Sequence, residues 1–467
     1  MSRSVYICLF GLLLSSCGNI TKTSSKKNKF AGSLSELNLK LDVEKRTLSN
    51  GMKVLISENH KLPIFSLYTY YDVGGRYEYE GTTGSTHFLE HMLFKKTKNN
   101  PAGTFSKFIE SNGGNSNAYT TFDNTVYYEN VPSYTIEKII NLEAERMANL
   151  ELEPEAFEKE RKVVLEERKM RYENSPRGQI YQSMMKTMFK GTPYGGSVIG
   201  EEKDVQNLSR EKMMDFYKDF YAPNNAIMVI VGDVKADAVV DYLEAKLGKI
   251  PANENLDALK KKLDRKERYI SKAKLPVVKK VHGQSATPMF TLSFPSIGVG
   301  TEDGYALDFL SSILGTGTSS YLTQTFVMNR KPKLTSIYAA NYTLKNSGVF
   351  FIQGQLLDKV SLTKFRRSLM KSLKKACHIA VTPRNVQKTK NILLVGYYSG
   401  IQTNAGLASF LGSNEFFYGD YKKYEEELAI YNSMTVEKVK AACNKYLNPK
   451  KSAFISVWKK HSKKHRK

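Results

Sequence analysis

Cysteine is scarce, with four in 467 residues. Cys8 and Cys17 lie in an N-terminal stretch, which leaves Cys377 and Cys443 for the body of the chain. Neither has metal-ligand spacing, so a cysteine-zinc centre is not expected. The two could pair in an oxidising compartment, but their spacing alone does not decide it. Acidic residues are also few: 46 Asp and Glu stand against 70 Lys and Arg, a formal net charge of +24. No nucleic-acid recognition signature accompanies that charge, so nucleic acid is not an expected partner. The apolar run Val5–Leu14 is too short to span a bilayer as a stable helix. Nor is apolar matter lacking: 41% hydrophobic and 11% aromatic residues supply packed cores and exclude global disorder.

The basic excess is concentrated. Lys260 to Lys280 holds ten Lys and Arg against Asp264 and Glu267, and Lys459 to Lys467 holds six. Such runs are ordinarily solvated surface; the sharper alternative is contact with anionic lipid or an acidic polymer. At the other end, Arg3, the apolar run and Leu14-Ser15-Ser16-Cys17 resemble the signal and cleavage box of a bacterial lipoprotein. That resemblance implies residues 1–16 as signal peptide, acylation of Cys17, and 17–39 as a polar tether. The expected location is the bacterial cell envelope, lipid-anchored at the outer membrane and facing the periplasm.

Histidine is rarer than average, seven in all, yet two fall in one window: His87-Phe88-Leu89-Glu90-His91. Four residues apart, both rings project from one face of a helix and can reach a single ion. Imidazoles suit zinc, and a carboxylate beside a metal can take a proton from bound water. The order H-x-x-E-H inverts the His-Glu-x-x-His arrangement, which pairs two zinc ligands with a general-base Glu. The apolar flanks Phe88, Leu89, Met92 and Leu93 predict a buried helix, where an ionised Glu90 is costly unless paired or near a metal. A catalytic zinc takes a third protein ligand and keeps one open position. The helical stretch Pro154–Glu173 offers Glu160 and Glu167, two turns apart and on one face, with Val163 and Val164 placing that face near the core. Glu166 points about 100° away from Glu167. Spacing alone does not separate Glu160 from Glu167.

The run Gly84 to Phe94 resembles the signature of the pitrilysin or insulinase (M16) metallopeptidases, and the length suits their shorter, processing-peptidase-like (M16B) branch. The family places its third ligand about 76 residues after the second His, in a context like E-R-x-V-V-x-E-E; Glu160 to Glu167 matches it. The resemblance therefore implies one zinc per chain on His87, His91 and Glu167, Glu90 as general base and Glu160 as an auxiliary acid. Asn117-Ala118-Tyr119-Thr120 resembles the family's N-A-x-T motif, an edge strand that pairs with extended substrate through main-chain bonds. Asn117, Ala118 and Thr120 are then substrate contacts; Asn117 can equally be a turn residue after Gly113-Gly114. Two departures stand out. Thr86 replaces the usual Ala, and Tyr321 occupies the slot of an Arg that contacts substrate in relatives. Tyr338 is either the family's later substrate-binding Tyr or a strand-core aromatic.

Phe290–Leu314 repeats the strand, Gly-rich turn and helix of Leu67–Phe94, without histidine. This predicts an α+β fold of two homologous domains, each a mainly antiparallel sheet packed with helices. They are expected at 40–252, which binds zinc, and 283–458, which does not, with a basic connector at 253–282 and a basic tail at 459–467. Family resemblance adds that such a chain forms one half of a clamshell chamber, completed by a homodimer or heterodimer partner of the same kind. The activity implied is a zinc endopeptidase acting on peptides or unfolded segments. The alternatives are a zinc subunit that needs a second family chain, and a binding or assembly lipoprotein with a vestigial site.

Overall fold

The computed structural model describes residues 39–458 apart from Glu80 and Gln284. Cys17, the signal segment and the basic tail lie outside the described residues, as does all of the tether before Leu39.

Two sheets organise the chain. The first holds β1 (Glu44–Thr47), β2 (Lys53–Glu58), β3 (Ile64–Tyr71), β4 (Asn115–Thr120), β5 (Thr125–Pro132) and β6 (Ala226–Gly232), in the order β1-β2-β6-β3-β5-β4. The second holds β7 (Val277–His282), β8 (Met289–Ser296), β9 (Leu334–Thr343), β10 (Gly348–Leu356) and β11 (Ala453–Trp458), in the order β7-β11-β8-β10-β9. From β2 onward the first order is repeated in the second, element for element. Each sheet has one parallel pair, β2 with β6 and β7 with β11, and is otherwise antiparallel. The fold is therefore α+β in two sheet-and-helix halves. The segment 253–282 is more than a connector: it contains helix Leu256–Leu263 and ends in β7, a strand of the second sheet.

Sequence patterning explains which strands are central. Every residue of β6, AIMVIVG, is buried, as a strand covered on both faces requires. Alternation in β4, exposed then half-buried, marks a strand with one face in water, and β4 is the sheet's edge. Helix Ser85–Met92 lies under that edge and is buried on nearly every position.

The halves are knitted by an exchange of helices. Helix Pro176–Met188, from the first half of the sequence, packs on β8 and β11, its Met184, Met185 and Met188 meeting Ala453 and Ile455. Helix Asn404–Tyr418, from the second half, covers β3 and β6, setting Ala408, Leu411 and Phe416 against Tyr70 and Val229. Each fully buried Val, Leu or Phe in such a layer contributes about 1.5–3 kcal/mol. Two polar ties fix the second helix. Tyr70 Oη donates to Ser409 O at 2.9 Å, and buried Glu415 receives Lys45 and Lys53 at 2.8 and 2.9 Å. Gly412 sits flat on the Tyr70 ring, where a Cβ would fall 2.2 Å from Cε2. We expect Gly412→Ala to cost about 1–3 kcal/mol by overpacking, read as a lowered denaturant midpoint. An unchanged midpoint would show that this face is not a tight contact.

Cys377 and Cys443, left open by spacing, are joined as a disulfide between helices Leu362–Ile379 and Val436–Tyr446.

Candidate metal centre

Helix Ser85–Met92 is set by its start. Gly84 adopts φ 91°, and a Cβ there would meet Ile199 O at 2.6 Å, so both conformation and space demand glycine. Glu78 caps the helix, accepting from Gly84 N at 2.9 Å and Thr86 N at 2.8 Å. Burial pushes the Glu78 carboxyl up to about 7 against the pull of those two bonds. Thr86 is fully buried at this first turn.

One turn on, His87 and His91 present their rings with centroids 4.8 Å apart. From helix Pro154–Arg168, Glu167 Oε2 comes within 3.8 Å of His87 Nε2 and 3.4 Å of His91 Nε2. One ligand atom from each of the three residues fits within 4.8 Å of the others. Zinc at about 2.0–2.2 Å from N and O ligands in tetrahedral geometry sets neighbouring ligand atoms about 3.3–3.6 Å apart. The donor set, two neutral-capable imidazoles and one carboxylate, suits that ion, around which the three atoms would draw somewhat closer together.

The surroundings prepare each ligand. Burial, with the neighbouring His91, lowers His87 to about 3, so its ring is neutral and able to ligate. Burial pulls His91 down, but hydrogen bonds to Glu160 and Glu167 outweigh it and raise the ring to about 9. In the metal's absence His91 thus keeps a proton that an ion would have to displace. The same burial raises Glu167, yet His91, His87 and Arg171 bring it down to about 2. Glu160 Oε1 stands 2.9 Å from His91 Nδ1, and its Oε2 receives Lys95 Nζ at 2.7 Å. A carboxylate on Nδ1 fixes the tautomer that leaves Nε2 free for a metal. We expect Glu160→Ala to weaken zinc binding about 10–100-fold, measured by competition with a chromogenic chelator; unchanged affinity would remove Glu160 from this role.

Glu90 is 9% exposed, and Thr120 Oγ1, from β4, donates to its Oε2. Burial raises Glu90 to about 7, opposed by that hydrogen bond. The group is thus close to the balance between holding and releasing a proton at neutral pH.

Helix Pro154–Arg168 resolves what spacing left open. Both acids do share a face, but Glu167 reaches the Nε2 side of the rings and Glu160 the Nδ1 side. Val164 is buried, whereas Val163 is 47% exposed, so only one of the two valines marks the inner face. Glu166 is exposed and turned away. Asn117 and Ala118 lie on β4, whose outer edge is unpaired; Asn117 Oδ1 accepts from Ala118 N at 2.9 Å. Tyr338 is on β9, the edge of the other sheet, 44% exposed with its hydroxyl on Gln353 Oε1 at 2.9 Å. Tyr321 opens helix Tyr321–Phe326 and is tied by its hydroxyl to Ser372, accepting from Oγ at 3.0 Å. Sequence reasoning missed Lys95 and Arg171, whose guanidinium holds Glu167 Oε1 at 2.5 Å from the π-helical turn Lys169–Glu173. Only the i,i+4 step from Glu167 to Arg171 was there to find.

Comparison with known proteins agrees with this geometry. The family described as insulinase (peptidase family M16) matches residues 53–202, and the peptidase M16 inactive domain matches residues 207–393. The chain is 31% identical over 371 residues to the zinc protease PqqE of Helicobacter pylori, covering 78% of this chain and 81% of that one. A probable mitochondrial-processing peptidase subunit beta of Arabidopsis thaliana is 24% identical over 424 residues, 88% of this chain and 77% of that one. The crystal structure of a protease from Helicobacter pylori superposes with a TM-score of 0.80 at 27% identity, over 90% of this chain and 100% of that one. The chain belongs to peptidase family M16, the insulinase family, on its processing-peptidase-like branch.

Proposed function

We propose that this chain is a zinc-dependent endopeptidase, with one zinc held by His87, His91 and Glu167. The observation that carries the reading is the approach of Glu167 Oε2 to both Nε2 atoms, with Glu90 buried beside them. Zinc bound there supplies Lewis-acid polarisation of a peptide carbonyl and acidifies water. The chain's own residues do the rest. Glu90 takes the proton from the attacking water and delivers it to the leaving amine nitrogen. Glu160 holds the His91 ring in place, and Thr120 aims the Glu90 carboxylate. The free edge of β4 accepts an extended peptide by main-chain pairing, with Asn117, Ala118 and Thr120 along it. Such pairing suits peptides and unfolded segments, whose backbone can be drawn out as an extended strand.

Chelation tests the reading. The purified chain, digesting a peptide library, should lose activity with 1,10-phenanthroline and recover it with stoichiometric zinc. Cleavage that survives complete metal removal would refute it.

A second reading has its own support. With the Tyr321 hydroxyl engaged by Ser372, this chain brings no cation from that slot. On that reading it is a zinc subunit that cuts only when paired with another M16-like chain. Slow or absent hydrolysis by the zinc-loaded chain alone, restored by such a partner, would favour it. We further propose a two-chain chamber, homomeric or heteromeric, anchored in the cell envelope through acylated Cys17. Two features support the location: the Leu14–Cys17 box and the Cys377–Cys443 disulfide, which suits an oxidising compartment. Among the described residues no helix is long and apolar enough to cross a membrane.

A further inference from the structure

Between Asp358 and Glu415 the chain has no acidic residue and ten Lys and Arg. Among the described residues, none of those ten forms an ion pair with a carboxylate. Six lie on helix Leu362–Ile379, whose 18 residues run about 27 Å. At the i,i+4 spacing five of the six fall in two adjacent rows, Arg366–Met370–Lys374 and Arg367–Lys371–Lys375. A solvated surface ordinarily mixes signs and relieves such spacing with Glu–Lys pairs; like charges four apart destabilise a helix. Here the repulsion is left standing from Lys364 to Lys375.

The rows border a groove of ≈ 470 Å³. Arg366, Arg367, Lys371 and Lys374 form its rim, and Met370 and Phe454 its apolar floor. The Arg366 guanidinium lies 5.9 Å from the Phe454 ring centroid, holding that charge over the floor. Val278, at the groove's side, is 57% exposed, and so is Ile379 at the helix end. Cations with aliphatic side chains among them, on one extended helix, are what an acidic bilayer surface binds: phosphates meet the cations and chain methylenes meet the floor. A single acidic peptide would need fewer charges, in a narrower slot.

We propose that helix Leu362–Ile379 and the groove beside it form a docking surface for acidic phospholipid headgroups at a membrane surface. The contact is separate from the metal centre and from any lipid on Cys17. It would fix which side of the body faces the bilayer, which a lipid on Cys17 alone would not do.

Vesicle sedimentation tests this on the full chain carrying Cys17→Ser, so that no acyl group there contributes. At physiological salt the protein should bind phosphatidylglycerol-containing vesicles and ignore pure phosphatidylcholine. Reversing four of the helix's five exposed cations (R367E/K371E/K374E/K375E) should raise the lipid concentration for half-binding about tenfold or more. Reversing four exposed cations elsewhere (K261E/K262E/K266E/K274E) should change it less than about twofold. Zinc content and melting temperature confirm folding, and glutamine at the same positions replaces glutamate if the first variant melts early. Equal loss in both variants would mean that binding follows net charge alone, and the proposal fails. It fails also if the parent does not prefer the acidic vesicles. Preference for a poly-glutamate probe over vesicles, lost in R367E/K371E/K374E/K375E, would assign the face to an acidic polypeptide and overturn the membrane.

Discussion

Glu90→Gln should retain stoichiometric zinc and lose peptide hydrolysis by about 10²–10⁴-fold, the contribution expected of a positioned general acid–base. The two halves of this expectation have separate grounds. Metal is kept because Glu90 is not among the converging atoms: those belong to His87, His91 and Glu167. Turnover is lost because glutamine matches glutamate in size and still accepts from Thr120 Oγ1 through its carbonyl, but cannot take a proton. Zinc analysis beside single-turnover cleavage of a fluorogenic peptide checks both. Native turnover would show that the proton is carried by another group. Loss of zinc along with activity would show that Glu90 maintains the site and does not act in the step.

Arg76→Met should destabilise the protein by about 3–5 kcal/mol, the cost of removing one partner from a buried ionic cluster. Arg76 is fully buried, with Asp72 and Asp123 at 3.2 Å and Asp264 in contact. Tyr77 and Tyr269 complete its shell, and Lys260 reaches Asp72 at 2.6 Å. Asp123 also takes Lys345 N at 3.0 Å and Tyr194 Oη at 2.8 Å, so the cluster spans both halves of the fold. Burial already raises the Asp123 carboxyl and Arg76 opposes that rise. Without the cation, Asp123 moves further up. A carboxyl raised in the folded state costs stability above its unfolded value, and the cost is complete above its folded one. The deficit should therefore be smaller near about pH 4 than at about pH 8, read from urea midpoints of both proteins. A deficit under about 1 kcal/mol at neutral pH would mean that the cluster is well hydrated, as surface pairs are.

The histidine pair of the candidate metal site was legible because it is local and chemically rare, and Glu167 because its context resembles a family motif. Two of seven histidines in one helical turn, and a Glu in a distinctive run, leave a mark in a linear string. The edge position of β4 was likewise implied by the resemblance of Asn117–Thr120 to a family motif. What could not be read depends on partners hundreds of residues away. Nothing around Tyr70 announces that Gly412 will lie on it, and nothing around Arg76 announces Asp264. The basic stretch 260–280 is largely exposed, as such runs ordinarily are, yet Lys260 and Asp264 are drawn into the Arg76 cluster, and Val277–His282 into a sheet. Residue type gives the chemistry of a group; only the fold tells which opposite charge it meets.

The mutual loan of helices has a mechanical corollary. Prising the first sheet from the second would strip Leu411 and Phe416 from one and Met185 from the other, so the body has no internal joint at low cost. If substrate enters an enclosure, the gate has to be a rigid swing of this entire body against whatever closes the other side.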